Sequence, residues 1–163
     1  MASALFELAS QVGDTLLSRA QLVVTAESCT GGWVAKIITD VPGSSRWFER
    51  GFVTYSNAAK QELLGVREAT LQVYGAVSGE TVTEMTLGAL CHSQAHLAVA
   101  VSGIAGPAGG HPDKPVGTVW LGWAVRDVET YSRCYTFGGN REAVRQQSVV
   151  AALQGILDVC KAR

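Results

Sequence analysis

The sequence predicts an α/β protein in which a mixed sheet is covered by helices on both faces. Three observations carry that prediction. Segments with apolar residues at helical spacing alternate with short runs rich in Val, Ala, Phe or Trp. Two such runs near the C-terminus follow each other with only a short turn between them, the mark of a hairpin. Glycine-rich polar loops follow the strand-like runs, where sheets of this class place their ligands.

The elements follow in order. Leu5, Leu8, Val12, Leu16 and Leu17 fall at helical spacing, predicting a helix from about Ala4 to Ala20. Leu22, Val23 and Val24 read as a short buried strand. Gly31 and Gly32 open a helix over Trp33 to Thr39, which Pro42 and Gly43 end. Phe52, Val53 and Tyr55 suggest a strand, and Asn57 is placed to cap a helix that runs through Leu64 and stops at Gly65. Glu68 to Tyr74 and Glu80 to Ala95 read as further helices. Leu97 to Ser102 is a β-rich run, and Gly103 to Pro115 a loop. Val116 to Val125 and Thr130 to Phe137 form the hairpin, turning near Asp127. Asn140 caps a last helix through about Val159. Trp120 and Trp123, three apart in a strand, point to opposite faces.

Composition narrows the function classes. The 163 residues fit one domain spanning 1–163. Hydrophobic residues make up 47% and charged residues 17%, below the roughly 25% charged of soluble domains. That argues for a packed core, against disorder, and is compatible with a subunit interface. Net charge is −1 and no basic run occurs, so nucleic acid is not an expected partner. A phosphate-bearing small molecule needs only one or two placed cations. Cys29, Cys91, Cys134 and Cys160 form no CxxC unit and read as reduced cytoplasmic thiols. The N-terminal segment has no basic stretch before an apolar run, and no apolar stretch approaches the roughly 20 residues that span a bilayer. A cytoplasmic protein with no membrane partner is expected.

Four segments could carry chemistry. TAESCTGG, Thr25 to Gly32, puts Ser28 and Cys29 where a strand hands over to a helix. Backbone N–H groups and the positive helix end there could stabilise an oxyanion, although Ser28 or Thr30 as a plain helix cap reads equally simply. Cys29 is the rival nucleophile, because a helix N-terminus would lower its pKa. His92, His96 and His111 lie in no suggestive setting, so attention passes to YSNAAK, with Tyr55 and Lys60. A lysine base would need its pKa brought down to roughly 7–8. A tyrosine ending a strand and a lysine on an exposed helix face is the plainer reading. SGIAGPAGG, Ser102 to Gly110, could wrap a ligand or be a rigid turn. GGNREAVR puts Arg141 and Arg145 on one helix face, suited to phosphate or to solvent. His92 and His96 have zinc-ligand spacing without HExxH or an evident third ligand, so no metal site is expected.

AESCTGG, PGSSRWFERGFVTYSNAAK, SGIAGPAGG followed by KPVGTVW, and GGNREAVR occur in this order. Together they resemble the C-terminal domain of the CinA family, most closely its stand-alone nicotinamide mononucleotide amidohydrolases, from about Gln11 to Gln154. The resemblance implies a three-layer α/β/α sandwich with a mixed, mostly parallel five-stranded sheet. It implies Ser28 as nucleophile with Tyr55 and Lys60, the proton passing to Lys60 directly or through Tyr55. It places Thr30, Gly31, Ser45, Asn57, Ser102, Gly103, Gly106 and Arg141 at or near the substrate pocket, with backbone amides near Thr30 and Gly31 on the oxyanion. Arg141 is the better match for the phosphate, with Arg145 as the other possibility. The implied reaction is deamidation of nicotinamide mononucleotide in pyridine nucleotide recycling, with no metal or organic cofactor, in a homodimer. Ser102 stands where the family often has threonine. The family's larger members carry a separate N-terminal domain, whose activities are not assigned here. The alternative is a non-catalytic nucleotide-binding module or a partner protein in competence or DNA damage.

Overall fold

The structure, a computed structural model, describes residues 2–163. Its helices are α1 (Ala2–Ser18), α2 (Trp33–Thr39), α3 (Asn57–Leu64), α4 (Glu68–Tyr74), α5 (Gly79–Cys91) and α6 (Arg141–Lys161). Its strands are β1 (Val23–Glu27), β2 (Phe48–Val53), β3 (Leu97–Gly103), β4 (Thr118–Val125) and β5 (Glu129–Thr136). They form one five-stranded sheet in the order β2-β1-β3-β4-β5. β1 pairs parallel with β2 and β3, and β4 pairs antiparallel with β3 and β5. Four strands therefore point one way and β4 runs against them, the mixed and mostly parallel sheet that the sequence implies.

Strand alternation sorts the core into two layers. Val23, Leu97, Val99, Val101, Val119, Leu121 and Trp123 pack with α1, α2 and α6 on one face. Val24, Ala26, Ala98, Ala100 and Ala124 pack with α3, α4 and α5 on the other. The second face is built largely of alanine, so α5 lies close to the sheet. A Cβ on Gly122 would come 3.1 Å from the Val82 carbonyl. Trp123 belongs to the first layer and Trp120 packs against the second, as their spacing requires.

Several element ends differ from the sequence reading. β1 continues through Glu27 because Glu27 still pairs with Val53 and Val101 in the parallel ladders. β2 begins at Phe48, and its half-exposed FERG stretch has no alternation to reveal it. α5 stops at Cys91 rather than Ala95, because the Arg126 guanidinium binds the carbonyls of Leu90, Ser93 and Ala95 and turns the chain away. Ser56, not Asn57, caps α3: its hydroxyl accepts from the Ala59 amide. Asn140 caps α6 as expected, accepting from Ala143 N–H.

α3, which carries Lys60, is docked on α5 through Gly88. A Cβ there would lie 1.8 Å from the Leu64 carbonyl oxygen. We expect Gly88→Ala to push the helices apart and cost about 1–3 kcal/mol in urea unfolding. Gly138→Ala, which meets open space, should stay within about 0.5 kcal/mol of the parent.

Candidate active site

β1 delivers the candidate nucleophile. Even-numbered residues of β1 face α3 and odd-numbered ones face α2, and the alternation carries past the strand end. Ser28 accordingly turns toward α3, while Cys29 joins the core on the α2 face. The Ser28 amide donates to the Val101 carbonyl at 3.0 Å, fixing the residue just past the end of β1 against β3, which runs on to Gly103. The next residues can turn sharply because Gly31 and Gly32 adopt φ of 60° and 102°.

Lys60 meets Ser28 from the first turn of α3. It is only 1% exposed, and its Nζ lies 3.1 Å from Ser28 Oγ, 3.0 Å from the Thr54 carbonyl and 3.4 Å from the Tyr55 carbonyl. Among the described residues no carboxylate pairs with it. Burial without a counter-ion lowers its pKa from the ordinary 10.5, and only the proximity of Cys29 opposes this. Nζ thus donates toward three acceptors, the Ser28 hydroxyl oxygen and two carbonyls. Once the amine loses a proton, two N–H groups still serve the carbonyls and its lone pair faces the Ser28 hydroxyl.

The same burial works against the rival thiol. Desolvation pushes Cys29 up to about 11, outweighing the lowering by its own backbone amide, Arg145 and Lys60, while Glu27 adds to the rise. The lowering expected from the helix end does not prevail over that desolvation, and two of the α2 amides serve another residue. Glu27, 1% exposed, accepts from Val34 N–H, Ala35 N–H and the Thr30 hydroxyl. A buried carboxylate thus caps α2, a role the sequence reading gave to Ser28 or Thr30. The signal was available: an acid just before a Gly-Gly turn and a helix.

The cleft around Ser28 has a volume of about 250 Å³ and is bounded by Tyr55, Asn57, Lys60, Val77, Ser102 and Arg141, among others. Gly103 and Ala105 close its floor; a Cβ on Gly103 would strike Val119 at 2.6 Å. Ser102, buried at the end of β3, donates to the Ala76 carbonyl and pins the loop before α5 against the cleft. Arg141 lies at the mouth, donating to the Gly106 carbonyl at 2.7 Å and to the Tyr55 hydroxyl at 3.1 Å.

Not every expected site residue takes the expected place. Tyr55 is 61% exposed and its hydroxyl is held by Arg141, so its carbonyl rather than its phenol meets Lys60. Thr30, Gly31 and Gly106 shape the loops without lining the cleft. Ser45 is exposed on a single 3-10 turn, Ser44–Arg46, that leads into β2. Because β2 runs parallel to β1, this turn sits at the opposite end of the sheet from Ser28. Arg145 turns away from the cleft and binds the outside of the nucleophile loop. The Gly31 amide donates to the Ser28 carbonyl, so it is not open to an oxyanion. His92 and His96 bond to Gly88 and Leu22, and among the described residues no metal-ligand cluster forms. A larger hollow of about 510 Å³ between β5 and α6 is lined by no serine, cysteine, histidine or lysine.

Fold and cleft define a class: an α/β/α sandwich in which a serine at a strand end faces a buried lysine instead of a histidine. The chain belongs to the CinA C-terminal domain family, whose model matches residues 5–160. It is 57% identical to the Escherichia coli K12 nicotinamide-nucleotide amidohydrolase PncC over 93% of this chain and 92% of that protein. It is 55% identical to the Pseudomonas putida protein of the same name, over 93% and 94%. The solved structure of a CinA superfamily protein from Klebsiella pneumoniae 700603 superposes with a TM-score of 0.94 at 37% identity, covering 98% of this chain and 99% of that one.

Lys60 also ties stability to pH. Its folded pKa is lowered, so between that value and the ordinary 10.5 the unfolded chain binds a proton that the folded chain does not. Stability from this group therefore rises with pH across that window and is lowest below it. We expect the stability difference between the parent and Lys60→Met to shift toward the parent as pH rises toward 10.5, read by urea unfolding at about pH 7, 9 and 10. A difference that stays constant across this range would contradict a lowered Lys60.

Proposed function

We propose that this chain is a nicotinamide-nucleotide amidohydrolase: it converts nicotinamide mononucleotide and water into nicotinate mononucleotide and ammonia. The single observation that carries the reading is the 3.1 Å approach of a buried, unpaired Lys60 amine to Ser28 Oγ. The near full-length identity to amidohydrolases of that name supports the substrate.

Ser28 Oγ attacks the carboxamide carbon as its proton moves to the Lys60 lone pair. The oxyanion takes the amide of Cys29, which lines the cleft, and that of Thr30, directly behind it; neither N–H bonds to another residue among those described. The C–N bond breaks, and Lys60 returns the proton to the leaving nitrogen, giving ammonia. Neutral Lys60 then deprotonates water, which attacks the acyl carbon and releases Ser28 with its proton. Every proton transfer is assigned to a side chain of this chain.

The substrate's charges suit the cleft. A cationic pyridinium ring near Nζ opposes protonation of Lys60, and no carboxylate lines the cleft to offset it. Arg141 has five N–H donors and engages two of them with Gly106 and Tyr55, leaving three for a 5′-phosphate. Asn57, Tyr55 and Ser102 contribute the polar walls. Residues 1–163 act as one amidohydrolase domain. It acts in the cytoplasm without nucleic-acid or membrane partners: its four cysteines are free thiols, net charge −1 with no basic run suits no nucleic acid, and among the described residues no helix is long and apolar enough to cross a membrane. The exposed edge strand β5, beside Phe137 and Val150, supports a homodimer.

Incubation with nicotinamide mononucleotide should release ammonia and nicotinate mononucleotide in equal amounts. Tight binding without turnover would instead support a nucleotide-binding module. Ser28→Ala and Lys60→Met should each lower kcat at least about 10³-fold, whereas Cys29→Ala keeps most of the activity. A dead Cys29→Ala beside an active Ser28→Ala would move the nucleophile to the thiol. Arg141→Met should raise KM with a smaller effect on kcat, since it removes binding present in both ground and transition states.

A further inference from the structure

Arg145 does not line the cleft, yet its guanidinium is tied to the nucleophile loop by two hydrogen bonds. Nε donates to the Cys29 carbonyl at 3.0 Å and Nη2 to the Thr30 carbonyl at 3.2 Å. The guanidinium carbon sits 5.6 Å from the Trp33 ring centroid, which holds it in place as a cation–π pair. It crosses from α6 to the loop 115 residues away in sequence.

The peptide planes show what these bonds reach. In a trans peptide the C=O and N–H point opposite ways. The Cys29 carbonyl that accepts from Arg145 shares its plane with the Thr30 N–H, which therefore points away from Arg145. The Thr30 carbonyl shares its plane with the Gly31 N–H, and that N–H donates to the Ser28 carbonyl at 3.0 Å. The Ser28 carbonyl in turn shares its plane with the Cys29 N–H. Two short chains thus start at one guanidinium and end at the amides of Cys29 and Thr30. Those are the amides of the loop's two buried residues after Ser28, and neither has another residue as acceptor.

We propose that Arg145 is a positioning residue for the oxyanion site: it orients the peptide planes after Ser28 and polarises the Cys29 and Thr30 amides from the side away from substrate. Chains of hydrogen bonds strengthen one another in a low-dielectric interior. A cation at the head of the chain withdraws electron density from each carbonyl and makes the terminal N–H a better donor. The effect grows as negative charge develops on the carboxamide oxygen, so it acts on the transition state rather than on binding. Arg145 is therefore no second phosphate ligand, although it shares a helix face with Arg141.

The inference rests on the amidohydrolase reading, and two measurements separate the fates of the two. In steady-state kinetics with nicotinamide mononucleotide, Arg145→Met should lower kcat about 10–100-fold, less than deletion of an oxyanion donor, with KM within about two-fold of the parent. Arg145→Lys, which keeps the charge and one donor, should fall between the two. A raised KM with unchanged kcat, or a kcat unchanged in both variants, overturns the proposal. The second measurement needs no nucleotide. A small fluorophosphonate forms a bond from Ser28 Oγ to phosphorus as fluoride leaves and Lys60 takes the serine proton, and its phosphoryl oxygen occupies the oxyanion site. Followed by intact mass, this reaction should slow in Arg145→Met and Arg145→Lys in the same order as kcat. Equal rates in parent and both variants overturn the role of Arg145 even if another amide proves to be the substrate.

Discussion

The site depends on keeping an amine buried without a counter-charge. An ionised ammonium taken from water costs several kcal/mol unless it is paired, and Lys60 has only carbonyls and a hydroxyl around it. Burial answers that cost by lowering the lysine's pKa, which favours the neutral amine that the proposed reaction uses as the base for Ser28. Much of the surrounding architecture follows. α3 must start right after β2 so that Thr54 and Tyr55 present their carbonyls, and α3 must sit tight on α5 so that water stays away from Nζ. Glycine at position 88 permits that approach.

The loop after β1 solves a second problem, which is to expose a serine while ordering a backbone that has left the sheet. Glu27 holds it from below by capping α2, and Arg145 holds it from α6. A buried carboxylate and a half-buried guanidinium thus brace the two sides of one five-residue turn. Neither touches the cleft. Both belong to the elements that carry the reacting groups, so the chemistry is wired into the core packing rather than carried on a mobile loop.

What the sequence revealed follows the strength of local signals. Helices with clean apolar spacing or flanking glycines, such as Trp33–Thr39 and Glu68–Tyr74, are legible to the residue. β2 is not, because an edge strand reading FERG carries no alternation. The end of α5 is hidden because an arginine 35 residues or more downstream of Leu90 and Cys91 terminates it. For the site, the motifs point to Ser28 and Lys60, but local sequence cannot distinguish a lysine on a wet helix face from one sealed against a serine. Arg141 and Arg145 share a face by spacing, and only the tertiary fold sends one to the cleft mouth and the other behind the nucleophile. Ser45 lies in a recognisable motif, yet strand direction carries it to the far end of the sheet.

The most direct test of the central claim is a titration of Lys60 itself. The chain has Lys36, Lys60, Lys114 and Lys161. NMR of protein carrying carbon-13 at lysine Cε, with Lys60→Met to assign the signal, follows each amine through its protonation. The account requires the Lys60 resonance to report a neutral amine well below the ordinary 10.5. A Lys60 that stays cationic up to that value in the folded protein would leave Ser28 without its base.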